Sequence, residues 1–322
     1  MFPVATPQRT GELVWFKNPG SNIEKDVEWK ESVLVSGLGP DIYIIKSDFD
    51  QDGIPEFLTT HFFTGSKLTI YGVSGDDKDW SDVVSGNATI QSVDLGTDQG
   101  SPFGVQVADL DGDGQMAEIL VTNHQNDNCE FEETIPGRVY ALIPPVDKGM
   151  LFDSSKWDTK ILLDDIYPQP SMPNVRNSRA APGKAKTFYP SRKEEKSGGR
   201  PWIVVGGDEA GKVWVLRPLK QKGWEFDWIY ESEVVFDIND TYGAETSQTY
   251  MTTKPFITVS TIGNVAVRYD RETDDGMAEI YIPVFEGQEI HVISFRKNYD
   301  DNGEQFLFTF PEDGRLECPA AP

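Results

Sequence analysis

The sequence predicts an all-β chain built from repeated four-stranded antiparallel units, stacked like the blades of a β-propeller. Three observations lead there. Short apolar and aromatic segments of strand length recur along the 322 residues. An acidic turn also recurs: Asp48-Phe49-Asp50-Gln51-Asp52-Gly53-Ile54-Pro55-Glu56 returns as Asp109-Leu110-Asp111-Gly112-Asp113-Gly114, with Gly53 and Gly114 61 residues apart. Each copy sits at the same place in its unit, after a first strand and before an apolar second one. A two-sheet sandwich is the competing architecture, and it gives no reason for that placement.

The elements follow in order. Gly11 to Gly20 reads as a short aromatic strand stopped by Pro19-Gly20, and Glu28 to Ser36 supplies a partner. The first full unit opens with Asp41-Ile42-Tyr43-Ile44-Ile45 and passes through the acidic turn. It continues with Phe57 to Phe63, Lys67 to Tyr71 and Ala88 to Leu95. The second repeats that order with Gly104 to Ala108, the second turn, Glu118 to Thr122, Gly137 to Leu142 and Lys160 to Leu163. In the third, Lys184 to Tyr189 precedes Pro190 to Gly199, where a basic and glutamate-rich loop replaces the acidic turn. Trp202 to Val205, Gly211 to Leu216 and Trp228 to Phe236 complete it. The fourth contains Asn264 to Tyr269, Asp274-Asp275-Gly276, Glu279 to Ile282, Glu289 to Ile293 and Phe306 to Phe308. The units span roughly 11–36, 41–95, 104–163, 184–236 and 258–310 of a single domain over residues 1–322, about four and a half blades. Pro311 to Pro322 offers no candidate for two closing strands, so the chain reads as a fragment of a larger propeller.

The chemistry of the turn points to a hard cation. Alternate residues of extended chain point the same way, so Asp48, Asp50 and Asp52 can converge while Gly53 permits the sharp bend. Oxygen donors at this density suit Ca²⁺, which takes six to eight of them. The first positions match an EF-hand loop, but β-rich flanks without a 3.6-residue apolar period place the turn between strands. The competing reading is an acidic surface turn with no ion.

The repeats resemble the FG-GAP and VCBS family found in integrin α-chain propellers, on Asp48 to Thr60 and Asp109 to Thr122, with Gly11 to Gly20 similar to a third strand. The resemblance implies a commonly seven-bladed propeller with Ca²⁺ in the turns on one face and ligands more often on the other. It carries Asp48, Asp50, Asp52, Glu56 and the Ile54 carbonyl over as metal ligands. In the second copy it carries over Asp109, Asp111, Asp113, the Gln115 carbonyl and Glu118, which stands one residue late. In the fourth copy Arg271 and Thr273 replace the first two aspartates, which argues against an ion there.

Composition bounds the partners. A net charge of −24 argues against nucleic acid, which needs a basic face, and no apolar run reaches the length of a membrane span. Cys129 and Cys318 fit either one long-range disulfide or two thiols, and Asn87-Ala88-Thr89 and Asn239-Asp240-Thr241 are glycosylation sequons. No signal peptide is visible. Either the protein is not secreted or the sequence lacks its own beginning, and the half-blade at the start favours the second and an extracellular location.

On the face away from the turns, second-strand ends bring His61, His124, Asp208, Glu209 and Glu286. Segments entering the first strands add Asp41, Asp98, Gln99, Arg176, Arg179, Lys184, Lys186, Tyr242, Gln248, Tyr250 and Lys254. A histidine base, a tyrosine acid and an Arg/Lys pair are what β-elimination on a uronate needs, with His61, His124, Arg179, Lys184 and Tyr250 as candidates. Each histidine has an alternative as a strand-end residue satisfied by its neighbours, and His291 within a strand reads as structural. The expectation is a polysaccharide lyase or sugar dehydratase acting on carbohydrate. Its alternative is a non-catalytic module binding glycan or protein, of the lectin or adhesion kind, with carbohydrate or glycoprotein as the expected partner.

Overall fold

The computed structural model describes residues 11–20, 28–37, 39–75, 77–126, 136–169, 180–219, 228–238, 240, 261–269, 276–285, 288–300, 303–309 and 315–317. The described chain is all-β, and its strands pair antiparallel in sequence order. Strands β1 (Leu13–Lys17) and β2 (Lys30–Val35) form a two-stranded sheet. The next sheet holds β3 (Ile44–Ser47), β4 (Glu56–His61), β5 (Lys67–Ser74) and β6 (Thr89–Leu95), with helix α1 (Trp80–Ser85) between the last two. Another joins β7 (Pro102–Ala108), β8 (Glu118–Asn123), β10 (Gly137–Ile143) and β11 (Asp158–Ile166). A two-residue strand β9 (Gln125–Asn126) leaves this sheet to pair with β12 (Ala180–Ala181). Then come β13 (Ala185–Phe188), helix α2 (Arg192–Ser197), β14 (Trp202–Gly206), β15 (Lys212–Pro218) and β16 (Tyr230–Asp237). The last sheet orders β17 (Ala266–Tyr269), β18 (Ala278–Val284), β19 (Glu289–Asp300) and β20 (Gly303–Thr309), with β21 (Arg315–Glu317) also on β19.

The chain forms two compact units, one of residues 1–103 with 143–158 and one of 104–142 with 159–322. In the second, successive sheets share cores. Ile203 and Val205 of β14 pack with Leu120, Val139 and Ala141 of the preceding sheet. Val204, between them, packs with Ile280, Ile282 and Ile293 of the following one. A strand buried on both faces must be apolar at every position, which is why β14 reads Ile-Val-Val without alternation. Phe188 and Trp202 meet Phe295 at ring-centroid distances of 5.4 and 5.8 Å in edge-to-face contacts. Gln106 adds a polar link between first strands: its Oε1 accepts from the Thr187 amide at 3.0 Å and its Nε2 donates to the Thr187 hydroxyl at 2.8 Å. In the first unit Leu13, Trp15 and Val35 of the opening sheet pack with Tyr71, Phe57 and Trp80.

Several elements differ from the sequence reading. The opening strand of the first full sheet begins at Ile44, three residues later than expected: just before it the Tyr43 amide donates to the Thr60 hydroxyl at 2.9 Å rather than to a strand carbonyl. Helix α1 was not anticipated. Asp79 accepts from the Ser81 and Asp82 amides, the Asp82 side chain returns to the Asp79 amide, and Gly86 ends the helix at φ 81°. The basic loop of the third unit contains α2, capped by Ser191 accepting from the Glu194 amide at 3.2 Å. The C-terminal stretch, expected to hold no further strand pair, contributes the single short β21.

Candidate metal centres and the strand-end cluster

Both acidic turns are built the same way. In the first, the carboxylate oxygens of Asp48, Asp50 and Glu56 lie within 4.8 Å of one another. The turn is shaped by its own amides: Gly53 N–H donates to Asp48 Oδ2 at 3.1 Å, Asp52 N–H to Asp50 Oδ1 at 3.3 Å and Ile54 N–H to Asp52 Oδ1 at 2.6 Å. Gln51 at φ 63° and Gly53 at φ 89° supply two left-handed residues. Phe49, buried beneath, sets its ring against Trp157 at 6.5 Å, and Pro55 accepts from the Trp80 indole at 2.7 Å.

In the second turn Asp109, Asp111 and Asp113 cluster within the same 4.8 Å. Gly114 N–H donates to Asp109 Oδ2 at 2.9 Å, Asp113 N–H to Asp111 Oδ1 at 3.0 Å and Gln115 N–H to Asp113 Oδ1 at 2.7 Å. Gly112 and Gly114 occupy φ 78° and 89°, matching Gln51 and Gly53. The extra residue falls after Gln115, where Met116 is thrown out to solvent.

Glu118 therefore makes the same amide contact as Glu56, although only Glu56 belongs to the carboxylate cluster of its turn. Each heads the second strand of its sheet and is nearly inaccessible, 3 % exposed for Glu56 and 4 % for Glu118. Each accepts, through Oε2 at 2.8 Å, from the amide of the residue after the first aspartate, Phe49 or Leu110. Burial pushes Glu56 up to about 8 and Glu118 to about 7, with the neighbouring aspartates adding to the rise and the accepted amide opposing it. Burial likewise raises Asp50 and Asp111. Nearby aspartates reinforce both shifts, backbone amides oppose them, and at Asp111 the Arg200 guanidinium opposes too. Three aspartates and a buried glutamate in one turn repel one another, and a divalent cation among them would reverse that penalty. Hard oxygen donors of this kind could hold a metal ion.

The strand-end residues have separate fates. His61 ends β4 and is fully buried, with Nε2 3.4 Å from the Thr59 hydroxyl and Nδ1 3.3 Å from that of Thr64. Asp41 caps the turn beyond it, accepting from the amides of Phe62, Phe63 and Thr64 at 2.9, 2.7 and 3.2 Å. His124, one residue past β8, places Nε2 3.3 Å from Asp208 Oδ2. Asp208 sits at φ 51° just beyond β14, and its carbonyl accepts from the Ile262 amide at 3.0 Å. Lys184 stands at the entrance to β13, where its carbonyl accepts from Gly206 N–H at 3.0 Å. Beside it the Thr122 hydroxyl accepts from the Gly104 amide at 2.9 Å and donates to the Gly183 carbonyl at 2.7 Å. Arg179 and Tyr250 lie outside the described residues, as do Arg176, Tyr242, Gln248, Lys254, Glu286, Arg271, Thr273, Asn239 and both cysteines. His61 belongs to the first compact unit and His124 to the second. His291 is buried against Phe236, its ring centroid 4.8 Å away, with Nε2 3.4 Å from Glu289 Oε2.

Sequence reasoning missed Arg200, whose Nε donates to the Asp111 carbonyl at 3.4 Å, and Tyr230, whose hydroxyl donates to the Leu110 carbonyl at 3.4 Å. Both reach the second turn from the sequence of the third repeat unit, so no local pattern around the turn announces them. Among the described residues no helix is long and apolar enough to cross a membrane. Comparison of the chain with protein-family models, with curated proteins and with solved structures finds no match.

Proposed function

We propose that the chain is a Ca²⁺-stabilised β-propeller module of the extracellular FG-GAP/VCBS kind, and that the strand ends opposite its acidic turns engage carbohydrate. One observation carries the calcium reading: the same buried glutamate closes the same three-aspartate turn twice, although the two copies differ in length. Asp48, Asp50, Asp52, Glu56 and the Ile54 carbonyl would hold one ion. Asp109, Asp111, Asp113, Glu118 and the Gln115 carbonyl would hold the other. Ca²⁺ fits better than Mg²⁺, which demands a tighter octahedron and gives up its water reluctantly. The ion's contribution is charge: it lets the buried glutamates ionise and fixes the bend between first and second strands. Calcium titration calorimetry tests this, with two sites expected in the full chain and one in Asp48→Asn or Asp109→Asn. Absence of binding would sink the reading.

For carbohydrate chemistry the supporting observation is the His124–Asp208 pair, a carboxylate beside an imidazole at a strand end. In β-elimination His124 would take the proton next to the uronate carboxylate, and Lys184 or Arg179 would neutralise the charge that develops there. Tyr250 would protonate the departing oxygen as the carbon–carbon double bond forms. The burial of His61 among threonine hydroxyls favours a structural role for that histidine, and with it the alternative of a glycan- or glycoprotein-binding face without turnover. Uronate polysaccharides incubated with wild type and with His124→Ala separate the two. Ultraviolet-absorbing unsaturated product that disappears in the variant supports the lyase. Binding to the same polysaccharides with no product supports the binding module.

A further inference from the structure

In the third unit the segment Tyr189–Pro201 stands where the first two units carry an acidic turn, and it is fastened at both ends. At its start Ser191 is fully buried, Pro190 accepts from the Ala278 amide at 2.8 Å and Arg192 N–H donates to the Gly276 carbonyl at 2.9 Å. The Arg192 guanidinium lies 5.8 Å over the Tyr269 ring, whose hydroxyl accepts from the Tyr189 amide at 3.0 Å. At its far end the segment returns to the second acidic turn. A Cβ added at Gly112 would lie 3.0 Å from the Gly199 carbonyl carbon and 3.2 Å from the Arg200 nitrogen, so the two backbones are in contact. Arg200 Nε donates to the Asp111 carbonyl at 3.4 Å, and the Tyr189 hydroxyl ties down Gly199 at 3.0 Å.

Arg200 thus brings a guanidinium against the backbone of the second turn. Among the described residues no hydrogen bond or ion pair joins a lysine or arginine to Asp48, Asp50, Asp52 or Glu56 of the first. We propose that Arg200 is a resident counter-cation of the second turn, which supports that turn without metal and makes it the weaker of the two Ca²⁺ sites. The inference rests on the calcium reading above. A single positive charge several ångströms from a divalent ion, across a water-like dielectric, lowers its affinity by roughly three- to tenfold.

Calcium titrations of the full chain test it. Asp48→Asn leaves the second turn and Asp109→Asn leaves the first. The second turn should bind Ca²⁺ roughly three- to tenfold more weakly than the first in low salt, and equal or tighter binding overturns the proposal. Adding Arg200→Gln to Asp48→Asn should recover most of that factor, Arg200→Lys should change little, and neither should alter the first turn. In chelator Arg200→Gln should melt below wild type, with saturating Ca²⁺ narrowing the gap. A folded Arg200→Gln with unchanged or weakened affinity at the second turn overturns the proposal while leaving calcium binding intact. No binding by wild type at either turn overturns both. The comparison of the two turns needs no Arg200 variant, so misfolding of Arg200→Gln does not rescue the idea.

Discussion

If the acidic turns hold divalent ions as proposed, stripping them should make stability fall with rising pH, the reverse of ordinary carboxylate behaviour. Glu56 starts from 4.5 as a free side chain and is held at about 8 in the folded protein, and Glu118 is held at about 7. A carboxyl raised on folding binds its proton more tightly in the native state. Its stabilising contribution is therefore complete below 4.5 and is lost as pH climbs through 7 and 8. At about 1.4 kcal/mol per pKa unit, each buried glutamate costs the ion-free protein on the order of 3 kcal/mol between pH 4.5 and 7. On the calcium reading a bound ion removes that loss, because it favours the ionised form. Thermal melts of ion-free protein should fall steadily from pH 5 to 8, while melts in saturating Ca²⁺ stay level, so the two curves diverge with pH. A second readout follows. Calorimetry at pH 6.5 in buffers of different ionisation enthalpy should show roughly one to two protons released on filling both turns. Parallel melting curves, together with no proton release, would refute the argument that the buried glutamates face the ion.

Three further perturbations probe the frame around the turns. Glu118→Ala should abolish Ca²⁺ binding at the second turn alone and strand the buried Leu110 amide, costing roughly 1–3 kcal/mol in urea unfolding. A variant as stable as wild type would show the amide satisfied otherwise. Gln106→Ala removes both hydrogen bonds to Thr187 between adjacent first strands and should cost a similar amount, about 1–3 kcal/mol, without moving calcium affinity. Gly137→Ala would set a Cβ 2.4 Å from the Ala181 carbonyl oxygen and 2.5 Å from that of Ile166, so it should destabilise by about 1–3 kcal/mol or more. Unchanged thermal melts in that variant would mean the start of β10 has slack that the packing does not show.

The strands were legible because burial leaves a pattern in sequence. Ile203-Val204-Val205 is apolar throughout because neighbouring sheets cover both of its faces, and β8 opens the same way with Ile119-Leu120-Val121, all fully buried. The acidic turns were legible because their carboxylates and glycines lie close together in the chain. Side-chain commitments made across the fold were not. Asp41 looks like the start of a strand, yet its carboxylate gathers three amides more than twenty residues away, and the Tyr43 amide turns to the Thr60 hydroxyl before the strand begins. The short helices had local signals, Asp79 with Asp82 and Ser191 with Glu194, set in polar surroundings with no apolar stripe to mark a helix. His61 and His124 looked equivalent by position. One is enclosed by the hydroxyls of Thr59 and Thr64, within three residues of it, and the other faces Asp208, a carboxylate distant in the chain that no local pattern announces.

The third unit shows what the acidic turn is for. If Asp48 to Glu56 and its copy served only to decorate a surface, replacing the turn would leave its surroundings unaltered. Instead the segment in its place is tied by Pro190 and Arg192 to Ala278 and Gly276 on one side and by Arg200 to Asp111 on the other. A position that is closed by a buried glutamate in two units and by a capped helix in the third is a position that has to be fixed. The bend between first and second strands sets where the second strand starts, and period-two alternation means that a one-residue slip would turn its side chains to the opposite faces. Met116 makes the same point within the second turn: the chain accommodates its extra residue by expelling a methionine into solvent, and Glu118 keeps its place beneath Leu110. The constraint is therefore on the register of the second strand. On the calcium reading, the ion is one of two ways by which this chain meets it.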